Sequence, residues 1–230
     1  MVATDRVAKP LAIGLWRANK LAVGIAWAND AKREFAVMML LIVGLVAFFT
    51  IHLIPTNRGL RDGLVERFGE RSYKGIFSVA SLAAFILIVY GYGKMQAYLG
   101  SKNPVLWEAP TWASHLALLL MIPAFIALAA SFVPSRIGAI LKHPMLVAVK
   151  IWALAHLLAN GDAASLVLFS SFLAYAVYDR ISLKRRGDQG RGAVGASSIN
   201  DAIVIGIGLS LYLLMAFYGH PYLIGVPVIG

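Results

Sequence analysis

Five histidines, His52, His115, His143, His156 and His220, stand in or beside long apolar stretches of this chain. An imidazole in an apolar medium needs a partner, because an unpaired buried polar group costs roughly 1–3 kcal/mol. Two neutral imidazoles on different helices can bind one metal, most simply as the axial ligands of a haem. The plainer outcome is a hydrogen bond from each ring to a neighbouring carbonyl. Ionisable groups at membrane depth are nonetheless functional candidates by default.

His52 and His156 stand out because each follows a long apolar run on its own helix. Phe48 and Phe49 lie one turn before His52, and Trp152 one turn before His156, so both rings have aromatic neighbours suited to a flat macrocycle or to ordinary helix packing. His115 and His220 read as interfacial. His143 opens the segment KHPMLVAVKIWALAHLLANGD, with Pro144 in the first helical turn, where its missing N–H has no intrahelical partner anyway. His156 follows His143 by 13 residues, or about 20 Å along a straight helix. A haem shared by His52 and His156 therefore requires His143 well outside the hydrocarbon or a tilted helix. Otherwise His143 is the better companion for His52.

Other chemistries are thinly supplied. Asp162, Asp179 and Asp201 fall at helix ends, where Asp162 reads as a turn residue and Asp179–Arg180 as an interfacial ion pair. Ser170 and Ser171 have no nearby base, and the absence of Cys excludes disulfides and thiolate ligands.

The elements that must position these residues are apolar helices. Of 230 residues, 60% are hydrophobic and 14% charged, far from the soluble average of about 45–50% apolar and 25% charged. The fold expected is all-α, a polytopic integral membrane helix bundle of about six transmembrane helices, at residues 36–54, 73–92, 112–133, 144–158, 165–178 and 202–218. The fourth and fifth are short and joined by the tight Asn160–Gly161–Asp162 turn, a hairpin that need not cross fully. Residues 1–35 form a basic extension in which Arg17, Asn19 and Lys20 break the apolar run 11–28, so it is read as interfacial rather than spanning. The domain proper covers 36–225. The net charge of +10 is spread over loops, which points to anionic lipid head groups and not to nucleic acid. Arg58, Arg61, Arg67, Arg71, Arg136, Lys142, Arg180 and the 184–191 stretch all fall in the first, third and fifth loops, which puts those loops in the cytoplasm; the basic extension contradicts this unless it is translocated despite its charge or residues 11–28 cross as a seventh helix.

The pairing of IHLIPTNRGLRDGLVERFGERSYKGIFSVASL with KHPMLVAVKIWALAHLLANGD resembles the NnrU family of bacterial membrane proteins over residues 36–225. The resemblance implies a bacterial inner-membrane protein, an association with nitrite and nitric oxide reduction in denitrifying bacteria, and a relationship to the plant zeta-carotene isomerases, which use haem b. It also implies haem b here, with His52 and His156 as axial ligands, Trp152 beside it, His143 as the alternative ligand and Arg61 neutralising a propionate. An isomerase would act on an apolar lipid or carotenoid-like substrate. Ala153 stands three residues before His156, where the plant relatives have Cys, so a thiolate alternative ligand is excluded.

Two further functions differ in class. A non-catalytic protein assisting the expression or maturation of the denitrification reductases would carry no cofactor. A methyltransferase-like enzyme would use Lys142–His143–Pro144, which is similar to the cofactor segment of membrane isoprenylcysteine and phospholipid methyltransferases, but the paired Glu of those enzymes is missing here.

Overall fold

The computed structural model describes residues 37–97, 103–190, 192, 195–226 and 228. The N-terminal extension therefore lies outside the described residues. Helix α1 runs Val37–Thr56, its last turn tightening to 3-10 geometry over Ile54–Thr56 around Pro55. The surface helix α2 (Arg58–Phe68) starts at Asn57, whose side chain accepts from Leu60 N at 3.2 Å. Gly69, at φ +78°, turns the chain into α3 (Glu70–Gln96). Then come α4 (Thr111–Ala130), the six-residue α5 (Arg136–Leu141), α6 (Pro144–Ala159), α7 (Ala163–Arg185) and α8 (Ser198–Leu214), which continues as a π-helix over Met215–Ile224.

Five of these segments, α1, α3, α4, α7 and Ser198–Ile224, are long and apolar enough to cross a membrane, and α6 is the shorter sixth apolar helix. The chain is a polytopic membrane helix bundle. The fifth span of the sequence analysis is in fact 23 residues long, because the helix continues past Tyr178 through the charged Asp179–Arg185 end. Only α6, at 16 residues, remains short.

Small residues bring the helices together. A Cβ on Gly91 of α3 would lie 2.6 Å from the Leu41 backbone of α1, and one on Gly44 would lie 2.8 Å from the Ile88 backbone, so these two helices touch main chain to main chain. In lipid, where apolar burial alone drives little association, such close approach supplies the packing. α4 presents Ala113, Ala117, Ala124 and Ala127 on one buried face, and packs on both α6 and α8. Leu41, Leu45, Ile88, Met95, Ala153, Leu168 and Phe169 form the core between α1, α3, α6 and α7.

The order of the helices defines two ends. At one end lie the C-termini of α1 and α7, the start of α6 and the start of α8. Ser135 caps α5 through Gly138 N (3.0 Å), Asp201 accepts from Ile137 N (3.1 Å), and Asn200 donates to the Pro134 carbonyl (2.7 Å), which ties the start of α8 to α5. At the other end lie the end of α6, the start of α7 and the π-helix. There Asp162 is buried and caps α7 through Ser165 N (2.9 Å) while accepting from Asn103 Nδ2 (2.6 Å) and Gln96 Nε2 (3.1 Å). The turn residue of the sequence analysis thus joins α3, α7 and the segment before α4.

Candidate cofactor site

Both singled-out histidines are fixed in the same way. His52 Nδ1 donates to the Phe48 carbonyl and His156 Nδ1 to the Trp152 carbonyl, each at 2.8 Å and four residues back. A carbonyl can only accept, so Nδ1 carries the hydrogen. Nε2 is then left with a lone pair, the form in which imidazole ligates a metal.

His52 faces a cavity of about 630 Å³ at the end of the bundle where α1 and α7 finish. Its walls include Phe48, Phe172, Val149 and Leu146, and its polar lining is Ser131, Lys142, His143, Tyr175 and Asp179. His143 shares this cavity with His52. His156 does not line it.

The reason is the aromatic packing between the two rings. Phe48 stacks on His52 with centroids 3.9 Å apart, then meets Phe172 at 5.5 Å; Phe172 meets Trp152 edge-on at 5.4 Å. Trp152 in turn lies 5.3 Å from His156, which also packs on Phe169 at 4.5 Å. The flanking aromatics thus fill the space between His52 and His156 as a wall. On the far side His156 has a different neighbour, His220, at 6.4 Å.

The end of α1 is held from α7. Tyr175 donates to the His52 carbonyl at 3.2 Å, and Arg186 Nη1 donates to the carbonyls of Pro55 (2.9 Å) and Thr56 (3.3 Å), satisfying groups that a helix C-terminus leaves open. Arg186 also approaches Asp179 at 4.0 Å, so the partner of Asp179 is Arg186 and not the adjacent Arg180. On a helix, adjacent residues point apart, whereas Arg186, seven positions and two turns after Asp179, returns to the same face.

His143 is set by an unusual turn. Its N–H donates to the Leu141 carbonyl at 2.7 Å across Lys142, which sits at φ 62°, ψ −55°: a γ-turn of the rare, strained hand. Such outliers concentrate at functional sites. Against this turn rests the segment Gly187–Gly190. A Cβ on Gly190 would strike the Lys142 carbonyl, and His143 Nε2 lies 3.4 Å from the Asp188 carbonyl.

A family model described as NnrU protein matches residues 40–228. The chain belongs to the NnrU family. Neither a curated protein nor a solved structure matches it.

For the family's implied haem, the residues around the cavity fit: free Nε2 on His52, His143 in the same lining with its Nε2 turned to the Asp188 carbonyl and its lone pair on Nδ1, apolar and aromatic walls, and the cation Lys142 at one edge. Arg61 does not line the cavity. It pairs with Asp62 at 2.8 Å and lies over the Tyr73 ring. Tyr175, Asp179 and Arg186 were not singled out by the sequence analysis as site residues. The legible signal was weak: a tyrosine and an aspartate four apart, on the face of α7 that turns toward α1.

Proposed function

We propose that this NnrU-family protein binds haem b in the cavity at the α1–α7 end, where His52 and His143 are the residues that would hold its iron. The observation that carries this reading is the presence of both imidazoles in one aromatic-walled cavity of about 630 Å³, within the size range of cofactor sites. His156, the second ligand implied by the family resemblance, is separated from that cavity by Phe172 and Trp152.

When bound, haem with two imidazole ligands supplies one-electron redox chemistry. The chain's own part is to hold and orient. Phe48 fixes the His52 ring by stacking and by accepting its Nδ1 hydrogen. Tyr175 and Arg186 keep the end of α1 in register with α7. Lys142 offers the positive charge that a carboxylate-bearing edge requires. The setting is the bacterial inner membrane, with the basic end of the bundle in the cytoplasm by charge distribution. A redox role linked to nitric oxide metabolism fits two imidazoles better than a polyene isomerase, which needs a freed coordination position.

One observation favours a second reading. Lys142 and His143, with Asp179 in the same lining and Gly187–Gly190 folded against them, would suit the charged amino-acid end of S-adenosylmethionine.

The test is expression with haem supplied, purification in detergent, and oxidised and dithionite-reduced spectra of wild type and His52→Ala. Sharp reduced bands of bis-imidazole type, lost in the variant, are expected. A colourless wild type that retains S-adenosylmethionine would favour the methyltransferase-like reading. A colourless protein that retains neither would favour the assembly role.

A further inference from the structure

Lys150 is the one Lys, Arg, Asp or Glu of α6, about 9 Å along the helix axis from Pro144. A charged group at that depth needs a counter-charge or a route to water, which makes it a functional candidate. Lys150 is half-buried, does not line the cavity, and forms no ion pair among the described residues.

Its place on the helix follows from the period. Lys150 precedes Ala153 by three residues and Leu157 by seven, the stripe with which α6 enters the core it shares with α7. Across the seam, Phe169 of α7 meets Trp152 edge-on at 5.0 Å, and Ala176, two turns on, is fully buried. Arg180 continues that stripe one turn past Ala176; it too is half-buried and without an ion pair among the described residues. Asp179, beside it in sequence, lines the cavity and approaches Arg186, so its charge is committed elsewhere.

α6 and α7 form an antiparallel hairpin about Gly161. Lys150 precedes Gly161 by 11 residues and so stands level with Phe172; Arg180 is eight residues, or about 12 Å, nearer the basic end. The two cations therefore follow one another along a single seam. α6 itself is short, its 16 residues covering about 24 Å of a hydrocarbon core of ~30 Å. A short span thins the bilayer and draws lipid head groups inward, toward the level of Lys150.

We propose that Lys150 and Arg180 hold the phosphate of one anionic phospholipid at the basic end of the α6–α7 seam. Two cations with no carboxylate committed to them call for an anion. Basic pockets between membrane helices take anionic head groups in this way, and long cationic side chains snorkel toward the phosphate level while their stems stay in apolar surroundings. The anion belongs to a lipid because the seam adjoins bilayer and not the cavity: Leu154 of α6 and Val177 of α7 are 46% and 43% exposed, apolar surface for acyl chains. The site does not rest on haem binding at His52.

The test uses the full chain, delipidated in an uncharged detergent. Dioleoyl phosphatidylglycerol and dioleoyl phosphatidylcholine are titrated separately, with bound lipid counted by native mass spectrometry and Tm read in parallel. The proteins are wild type, Lys150→Met, Arg180→Gln and, as control, Arg67→Gln, an exposed cation of the same end. Wild type is expected to hold one phosphatidylglycerol, and phosphatidylcholine more than about tenfold more weakly. Lys150→Met and Arg180→Gln should each bind phosphatidylglycerol about fivefold more weakly, and Arg67→Gln as wild type does. Without lipid, Lys150→Met should melt no lower than wild type, since its ammonium has no protein partner to lose; only the gain in Tm from phosphatidylglycerol should shrink. Equal binding of the two lipids by wild type, undiminished phosphatidylglycerol binding in Lys150→Met or Arg180→Gln, or an equal loss in Arg67→Gln would overturn the proposal. Stabilisation by sodium phosphate equal to that by phosphatidylglycerol would overturn it too, by assigning the seam to a soluble anion.

Discussion

Arg186 Nη1 donates to the carbonyl of Pro55 at 2.9 Å, three residues past His52. One guanidinium thus bonds across from the turn after α7 to the last turn of α1, the helix that carries the histidine of the cavity. Arg186→Ala leaves the Pro55 and Thr56 carbonyls without this donor, at a cost of about 1–3 kcal/mol. The variant should melt lower in detergent and, if haem is held at His52 as proposed, release it faster. Arg186→Lys, with one ammonium in place of a fork, should recover only part of the loss. An unchanged Tm in Arg186→Ala would show that the end of α1 is held by other contacts.

The α1–α3 crossing depends on Gly91, where a Cβ would approach the Leu41 backbone at 2.6 Å. Main chain cannot move aside as a side chain can, so Gly91→Ala should force the helices apart and cost about 1–3 kcal/mol. Gly93→Ala, two residues on, meets nothing within 4 Å and is the control. Thermal unfolding of the pair in one detergent should separate them clearly; equal Tm values would contradict the close crossing.

At the opposite end, Asp162 combines a helix cap with hydrogen bonds from Asn103 and Gln96. Removing the carboxylate in Asp162→Ala should lose the cap, worth about 1 kcal/mol, and strand buried donors as well. Asp162→Asn keeps an acceptor oxygen and should lose less. Proteolysis of the 160–163 turn in the two variants gives the comparison, and equal resistance would contradict the network.

The strained turn at Lys142 gives a prediction of opposite sign. Glycine adopts φ 62° without the Cβ penalty that lysine carries. Lys142→Gly should therefore keep or raise Tm, whereas Lys142→Ala, with the same strain as lysine, should not. If Lys142 also holds the anionic edge of the cofactor, both variants should bind haem more weakly than wild type, irrespective of their stability.

Much of the fold was legible because lipid imposes it: a run of apolar residues of spanning length has few alternatives, and five helices fall where the runs do. The limits of α7 were less so, since charged residues after Tyr178 mark the end of the hydrocarbon and not the end of the helix. The histidines announced themselves by being polar in apolar surroundings. Their pairing did not. Which rings meet depends on the directions of α1, α6 and α8, and on Phe172, a residue of α7 that no spacing argument connects to His52. His220 reads as interfacial in sequence because Pro221 follows it, yet the wide π-turn carries the helix through that proline and brings the ring to His156.

The central claim, that one cavity holds haem between His52 and His143, is tested most directly by haem content and reduced spectra of His52→Ala, His143→Ala and His156→Ala prepared side by side. Loss of the bis-imidazole spectrum in the first two, with haem retained at wild-type stoichiometry in His156→Ala, is the predicted result. Loss in His52→Ala and His156→Ala with an unaltered spectrum in His143→Ala would contradict it.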